Sequence, residues 1–101
     1  MNTKDGIQLT VEQLEKASDI LRAISHPMRL AIIDFLTKQP GSTVSEIYET
    51  LNIDQSIASH HLGILKDKGI LESKRKGKNI HYSLRMEKIS SIITCIGSCL
   101  E

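Results

Sequence analysis

Apolar positions along the chain fall into helical spacing over its first two thirds, into short strand-like stretches after residue 70, and back into helical spacing at the end. Val11, Leu14, Ala17, Leu21 and Ile24 recur at intervals of three and four, which predicts a first helix with one apolar face. Thr10 and Gln13 have capping-box spacing, and Leu9 and Leu14 are placed as a hydrophobic staple. Ser25-His26-Pro27 ends this helix and opens the next, where proline in the first turn gives up an N–H that has no partner anyway. The second helix runs to about Lys38 and is expected to bury Leu30 and Ile33, with Ile32, Phe35 and Leu36 as further core positions. Pro40-Gly41 breaks the chain.

A third, two-turn helix starts at Thr43, with Glu46 as capping-box partner and Val44, Ile47, Tyr48 and Leu51 apolar. A tight turn at Leu51-Asn52-Ile53 leads to a fourth helix, with Asp54 as N-cap and Gly69 as the residue just past its end. Ile57, Ala58, His61, Leu62 and Leu65 line the face assigned to the core. Gln55, Ser56, Ser59 and His60 fall on or near the other. Strands are expected at Ile70–Lys74 and Asn79–Leu84, joined around Gly77, and a fifth helix from about Met86 to Ser98.

The result is one mainly α domain with a β-hairpin wing, a winged helix-turn-helix. Residues 43–68 form the helix-turn-helix, 70–84 the wing and 86–100 a dimerisation helix, with 1–8 flexible. A helix-turn-helix followed by a basic hairpin is a DNA-reading shape, in which a helix enters the major groove and the hairpin touches backbone beside it. The stripe Ile89, Ile92, Ile93, Ile96 and Leu100, like that of the first helix, is richer in branched aliphatics than a terminal helix of a small monomer needs. Such stripes either cover the core of their own chain or pair across a two-fold axis; the expectation is a homodimer through the terminal helices, in which two recognition helices about a two-fold axis suit an inverted-repeat operator in double-stranded DNA.

Composition agrees with a small globular domain. The chain has 101 residues, 40% apolar and 25% charged, and its aromatic side chains are Phe35, Tyr48 and Tyr82, so the core must be aliphatic. The polar start lacks the apolar segment of a secretory signal, and no run is long enough to span a membrane, so the expected location is the cytoplasm. Net charge is only +1, but its distribution is uneven. From Gln55 to Lys88 eight bases face three acids, a net +5, whereas Ser42 to Asp54 holds three acids and no base. Positive charge therefore gathers on the proposed recognition helix and hairpin, where it can neutralise phosphates.

Within that region Gln55 can pair with an adenine edge, Ser59 and His60 can reach bases or phosphates, and Ser56 suits a phosphate. Lys66 and Lys68 come later in the helix and are positional. Lys74, Arg75, Lys76 and Lys78 reach backbone or minor groove from the hairpin. His60 and His61 point about 100° apart on a helix and cannot readily share a metal ion. His60 is therefore assigned to the outer face and His61 to the scaffold. Gly63, inside the helix, marks either a close approach or an unoptimised position. A protein-interaction module on the same fold is the alternative, though its interface would want aromatics or Met rather than this polar face. No Gly-rich phosphate loop, no HExxH run and no nucleophile with base and orienter is present, so an enzyme is not expected.

These residues carry a resemblance to a known family. Ile24-Ser25-His26-Pro27-Met28-Arg29-Leu30 resembles the opening of the second helix in the ArsR/SmtB family of winged-helix repressors. Gln55-Ser56-Ile57-Ala58-Ser59-His60-His61-Leu62 resembles that family's recognition helix. Lys68-Gly69-Ile70-Leu71 and Gly77-Lys78-Asn79-Ile80-His81-Tyr82-Ser83-Leu84 resemble its wing. The resemblance spans about Leu9 to Ile96. It implies a homodimer built on the first and fifth helices, and operator binding that an inducer, often a metal ion, releases. It also places Gln55, Ser56, Ser59 and His60 where the family contacts DNA.

The chain departs from the family at the inducer sites. Thr43-Val44-Ser45-Glu46 aligns with a Cys-Val-Cys-Asp run, so hydroxyls stand where soft thiolate ligands are needed. Met86 and Lys88 align with the Asp-x-His pair of the fifth-helix site, and only Cys99 falls near a ligand position of the second pair. No metal site is assigned on these grounds. Cys95 and Cys99, one turn apart on the fifth helix, leave three readings open: small structural hydrophobes, thiols that sense persulfide or oxidant, or ligands for a soft ion such as As(III) together with a third group. No other cofactor is expected.

Overall fold

A computed structural model describes residues 8–101, so the expectation of flexibility over 1–8 falls almost wholly outside the described residues. Five helices and three strands follow in the order α1 (Val11–Ile24), α2 (Pro27–Lys38), β1 (Ser42–Thr43), α3 (Val44–Leu51), α4 (Gln55–Asp67), β2 (Leu71–Lys76), β3 (Asn79–Leu84) and α5 (Ile89–Cys99). The helix boundaries are set by local chemistry. Thr10 and Thr43 each accept the amide of a residue three further on, and Gln13 and Glu46 return the bond to the cap's own N–H. Pro27 opens α2, with the His26 ring nitrogen accepting from the amide of Met28 at 3.0 Å.

Both helices of the helix-turn-helix are closed at their C-terminal ends by left-handed residues. Asn52 stands at φ 55, with Ile53 N–H on the Tyr48 carbonyl and Asn52 N–H on Glu49. Gly69 stands at φ +75, with Ile70 N–H on the Leu65 carbonyl and Gly69 N–H on Lys66. Each pair of bonds satisfies carbonyls that the helix end would otherwise leave open.

The wing is antiparallel, with Leu71 opposite Leu84 and Lys76 opposite Asn79, and β1 pairs along the other side of β3 to give the order β1-β3-β2. The core is aliphatic, as the scarcity of aromatics requires. Ile32, Ile33, Leu36, Ile47, Leu62, Leu65, Ile70 and Leu71 are fully enclosed, while Phe35, Tyr48 and Tyr82 are only half-buried.

Several expectations need correction. Leu30 is half-buried, and Ile32 and Leu36 take the central place beside Ile33. Ile57 is 44% exposed, because it lies off the arc of Ala58, His61, Leu62 and Leu65 that faces the core. Asp54 has the extended backbone of an N-cap, but its carboxylate makes no capping bond. The first wing strand begins one residue later than expected, since Ile70 is used in closing α4, and extends to Lys76. The fifth helix starts at Ile89 rather than Met86. Ile89, Ser90 and Ser91 bond carbonyls three residues back, so this approach is a chain of tight turns rather than α-helix.

The terminal helices are finished differently from the rest. Leu9, Val11 and Leu21 at one end, and Ile92, Ile96 and Leu100 at the other, are 39–82% exposed. Between them runs a largely apolar groove of about 700 Å³, lined by Ala17, Ile20 and Leu21 of α1, by Arg85, Met86, Glu87 and Lys88 in the turns before α5, and by Ile89 and Ile92 at its start. Among the described residues no helix is long and apolar enough to cross a membrane.

Candidate nucleic-acid interface

The amino-terminal turns of α4 stand clear of the core. Ala58, His61, Leu62 and Leu65 anchor one side of the helix, which leaves Gln55, Ser56, Ser59 and His60 exposed on the other. Asp54 makes no capping bond, so among the described residues no side-chain cap engages the first amides of this helix, whose positive end suits a phosphate.

A polar cleft of about 360 Å³ lies between this helix end, the start of α3 and the wing. Its walls bring Gln55 and Ser59 of α4 together with Lys78 of the wing turn, and add Thr43, Ser45, Asn79 and Tyr82. Among the described residues no acidic side chain lines it. Ser56 and His60 lie on the same exposed side of α4 but outside the cleft. Nothing in the sequence marks Ser45 or Asn79 as part of this surface. Neither carries charge, and only the packing of three elements places them beside Gln55.

The wing separates its basic residues. Lys74 pairs with His81 and Lys76 with Asn79, and Lys74 and Lys76 share a shallow hollow with Glu72, His81 and Ser83. Arg75 is directly opposite Ile80, and Ile80 and Tyr82 line the cleft. Since directly opposed side chains share a face and neighbours in a strand alternate, Arg75 belongs to the α4 side and Lys74 to the other, where Lys76 joins it in the hollow, while Asn79, opposite Lys76, reaches the cleft from the end of the hairpin beside Lys78. The turn Gly77-Lys78 puts glycine first at φ +63, as a two-residue hairpin turn with one positive φ requires, and sets Lys78 at the mouth of the cleft.

Lys66 is exposed near the end of α4. Lys68 turns back to α1, where its Nζ donates to Asp19 at 2.8 Å, and this bond holds the Asp19 carboxyl below its ordinary range. Thr43 likewise holds the Glu46 carboxyl low, chiefly through the bond from its backbone N–H. His61 is buried and His60 exposed, matching their assignment to scaffold and outer face. Cys95 and Cys99 are both exposed in the protomer. Among the described residues no group of three His, Cys, Asp or Glu could hold a metal ion, so a soft ion at the two thiols would need a ligand from elsewhere.

This geometry has counterparts among known proteins. Residues 26–73 match the sequence model of the bacterial regulatory protein, arsR family. The HTH-type transcriptional regulator YgaV of Escherichia coli is 34% identical over 82 residues, 81% of this chain and 83% of that protein. The transcriptional repressor PagR of Bacillus anthracis is 36% identical over 80 residues, 79% of this chain and 80% of its own length. The crystal structure of PagR superposes with a TM-score of 0.78 at 33% identity, covering 86% of this chain and 99% of that one. The matched family region contains all of α2, α3 and α4 but neither cysteine. With relatives at this identity along most of its length, the chain belongs to the ArsR family of bacterial regulatory proteins.

Proposed function

We propose that this ArsR-family regulator is a dimeric, sequence-specific DNA-binding repressor that works in the cytoplasm and is released from its operator by an inducer. The observation that carries the reading is the polar cleft in which Gln55 and Ser59 meet Lys78. A helix end with amide and hydroxyl side chains gives base and phosphate contacts, and a flanking cationic turn gives position. Arg75 on the same face supplies a further phosphate contact. Lys74, Lys76, Lys66, Ser56 and His60 act from the margins.

Dimerisation is supported by the unfilled apolar groove along α1 and α5 and by the exposed Leu21, Ile92 and Ile96 beside it. Such a surface on a small chain calls for a partner, and a second copy supplies a self-complementary one. Two α4 helices related by a two-fold axis would then read an inverted repeat. The inducer reading rests on Cys95 and Cys99, which are open to reagents in the protomer and sit on the helix assigned to the dimer.

Fluorescence anisotropy of the reduced protein on the DNA upstream of its own gene tests the first claim. Tight binding that weakens steeply with salt is expected. Salt-insensitive binding to a protein, with none to DNA, would replace this reading by an interaction module. The same titration after polysulfide, diamide or arsenite tests the second. Binding lost on one treatment and retained in a Cys95→Ser/Cys99→Ser variant identifies the inducer class, whereas indifference to all three makes the thiols structural.

A further inference from the structure

One partly buried polar junction plays no part in these contacts. Arg29, on α2, donates from Nε to His61 Nδ1 at 3.1 Å and from Nη1 to the Ala23 carbonyl at 2.9 Å. Ala23 lies in the last turn of α1 and His61 in the middle of α4. A single planar guanidinium therefore joins the end of the proposed dimer helix to the recognition helix. Both ends of the bond lie in stretches that the DNA contacts leave unexplained.

The bond also dictates a protonation state. An arginine donates and cannot accept, so His61 Nδ1 must present a lone pair, and the ring is neutral with its proton on Nε2. His61 as a whole is 7% exposed. The His26 ring lies against it with centroids 4.6 Å apart, and that of His60 is at 5.4 Å. His26 itself uses Nδ1 to accept from Met28, so it too presents a lone pair there.

We propose that Arg29 is a positioning residue for DNA recognition: through His61 it sets the orientation of α4 against the end of α1, and a proton on His61 Nδ1 releases that hold. Apolar contacts at Ala58, Leu62 and Leu65 keep the helix on the core but are non-directional. The forked hydrogen bond is directional. The Lys68–Asp19 bond ties the far end of α4 to the same α1 helix, so the two together limit both roll and tilt. Roll at His61 would carry Gln55 and Ser59 with it, and in a dimer would disturb both half-sites at once.

The groups acting on His61 are His26 at the start of α2, Arg29 on α2 and His60 on α4 itself. Burial first, and then these three, push its titration below the ordinary 6.5. A histidine depressed in this way binds fewer protons folded than unfolded. Its contribution is complete above 6.5 and is lost as pH falls below that value towards the folded one.

The inference deepens the DNA-binding reading and is tested with it. Wild-type protein is used to enrich duplexes from a random-sequence pool above pH 6.5, and affinities are measured for the enriched duplex and a scrambled one. Arg29→Met should lower affinity for the enriched duplex about tenfold, the scale of one missing charge-assisted hydrogen bond, with little change for the scrambled duplex. Wild-type selectivity should fall on acidification, and His61→Asn, whose amide oxygen can take the place of Nδ1 without titrating, should keep it. Nitrogen-15 NMR of the His61 ring in the free protein should show the Nε2–H tautomer. Circular dichroism checks that each variant folds, and the wild-type pH profile and ring spectrum serve if a variant does not. Failure to enrich any duplex would overturn the DNA reading and this inference together. Enrichment with selectivity unchanged in folded Arg29→Met, selectivity indifferent to pH, or an Nδ1–H tautomer would overturn the inference alone.

Discussion

The helix-turn-helix and the terminal helices solve the same problem to different degrees. In α3 and α4 the apolar stripe is closed within the protomer, with Ile47, Ala58, Leu62 and Leu65 all at 0% exposure. In α1 and α5 only Ala23, Ile24 and Ile89 are buried, while Val11, Leu21, Ile92 and Ile96 remain 39–50% exposed. The dimensions agree. A radius of gyration of 15.2 Å and extents of 51 × 33 × 19 Å describe an elongated body, where a compact chain of this size would have a radius near ~13 Å. Periodicity therefore identifies what must be covered without identifying the cover. The reading element is built to be complete alone, and the terminal helices are built to be completed.

The largest effect should come from breaking the finished side. Leu62→Ala removes a fully enclosed side chain and should cost about 2–5 kcal/mol in urea denaturation. A loss near zero would mean that α4 is not packed as described. The corresponding change on the open side, Ile92→Asp together with Ile96→Asp, should leave the helical circular dichroism largely intact. It should halve the mass in sedimentation and weaken operator binding, because only one half-site would be held at a time. An unchanged mass would move the interface away from α5.

The wing offers a finer contrast. Arg75→Gln with Lys78→Gln should reduce the salt slope of DNA binding by roughly one unit for each phosphate no longer neutralised. Lys74→Gln with Lys76→Gln, on the face turned away from the cleft, should change it less. Equal effects would mean that the hairpin approaches DNA along its edge rather than by one face.

What could be read from the chain follows the same divide between local and distant. The capping boxes at Thr10 and Thr43, the proline opening of α2 and the glycine closing α4 are chemistry between residues a few positions apart, and all are present. Two-residue β1 is too short to show alternation, and it exists because β3 offers it an edge. The Asp54 carboxylate could cap α4 by spacing alone, yet it makes no such bond. The turns before Ile89 have the apolar spacing of a helix without its hydrogen bonds. At the interface, the exposed polar side of α4 was legible from its spacing. The division of the wing lysines and Arg75 between two faces needed the register, and the Arg29–His61 bond spans 32 residues with no periodic signature.

The smallest effect concerns Gly63, which tests whether the outer face of α4 has a purpose for every residue. It lies four residues after Ser59 and seven after Ser56, on the same side of the helix and half-buried, and a methyl group built there would meet nothing within 4 Å. No close approach inside the protomer requires a glycine. Gly63→Ala should therefore raise stability by about 0.5–1 kcal/mol, because glycine gives up more conformational freedom in a helix than alanine does. Operator affinity should stay the same if the first two turns, with Gln55 and Ser59, meet the DNA. A gain in stability accompanied by a several-fold loss of affinity would show instead that DNA comes close to the helix at its third turn. The missing side chain would then be part of the reading surface, and stability would have been given up there for access.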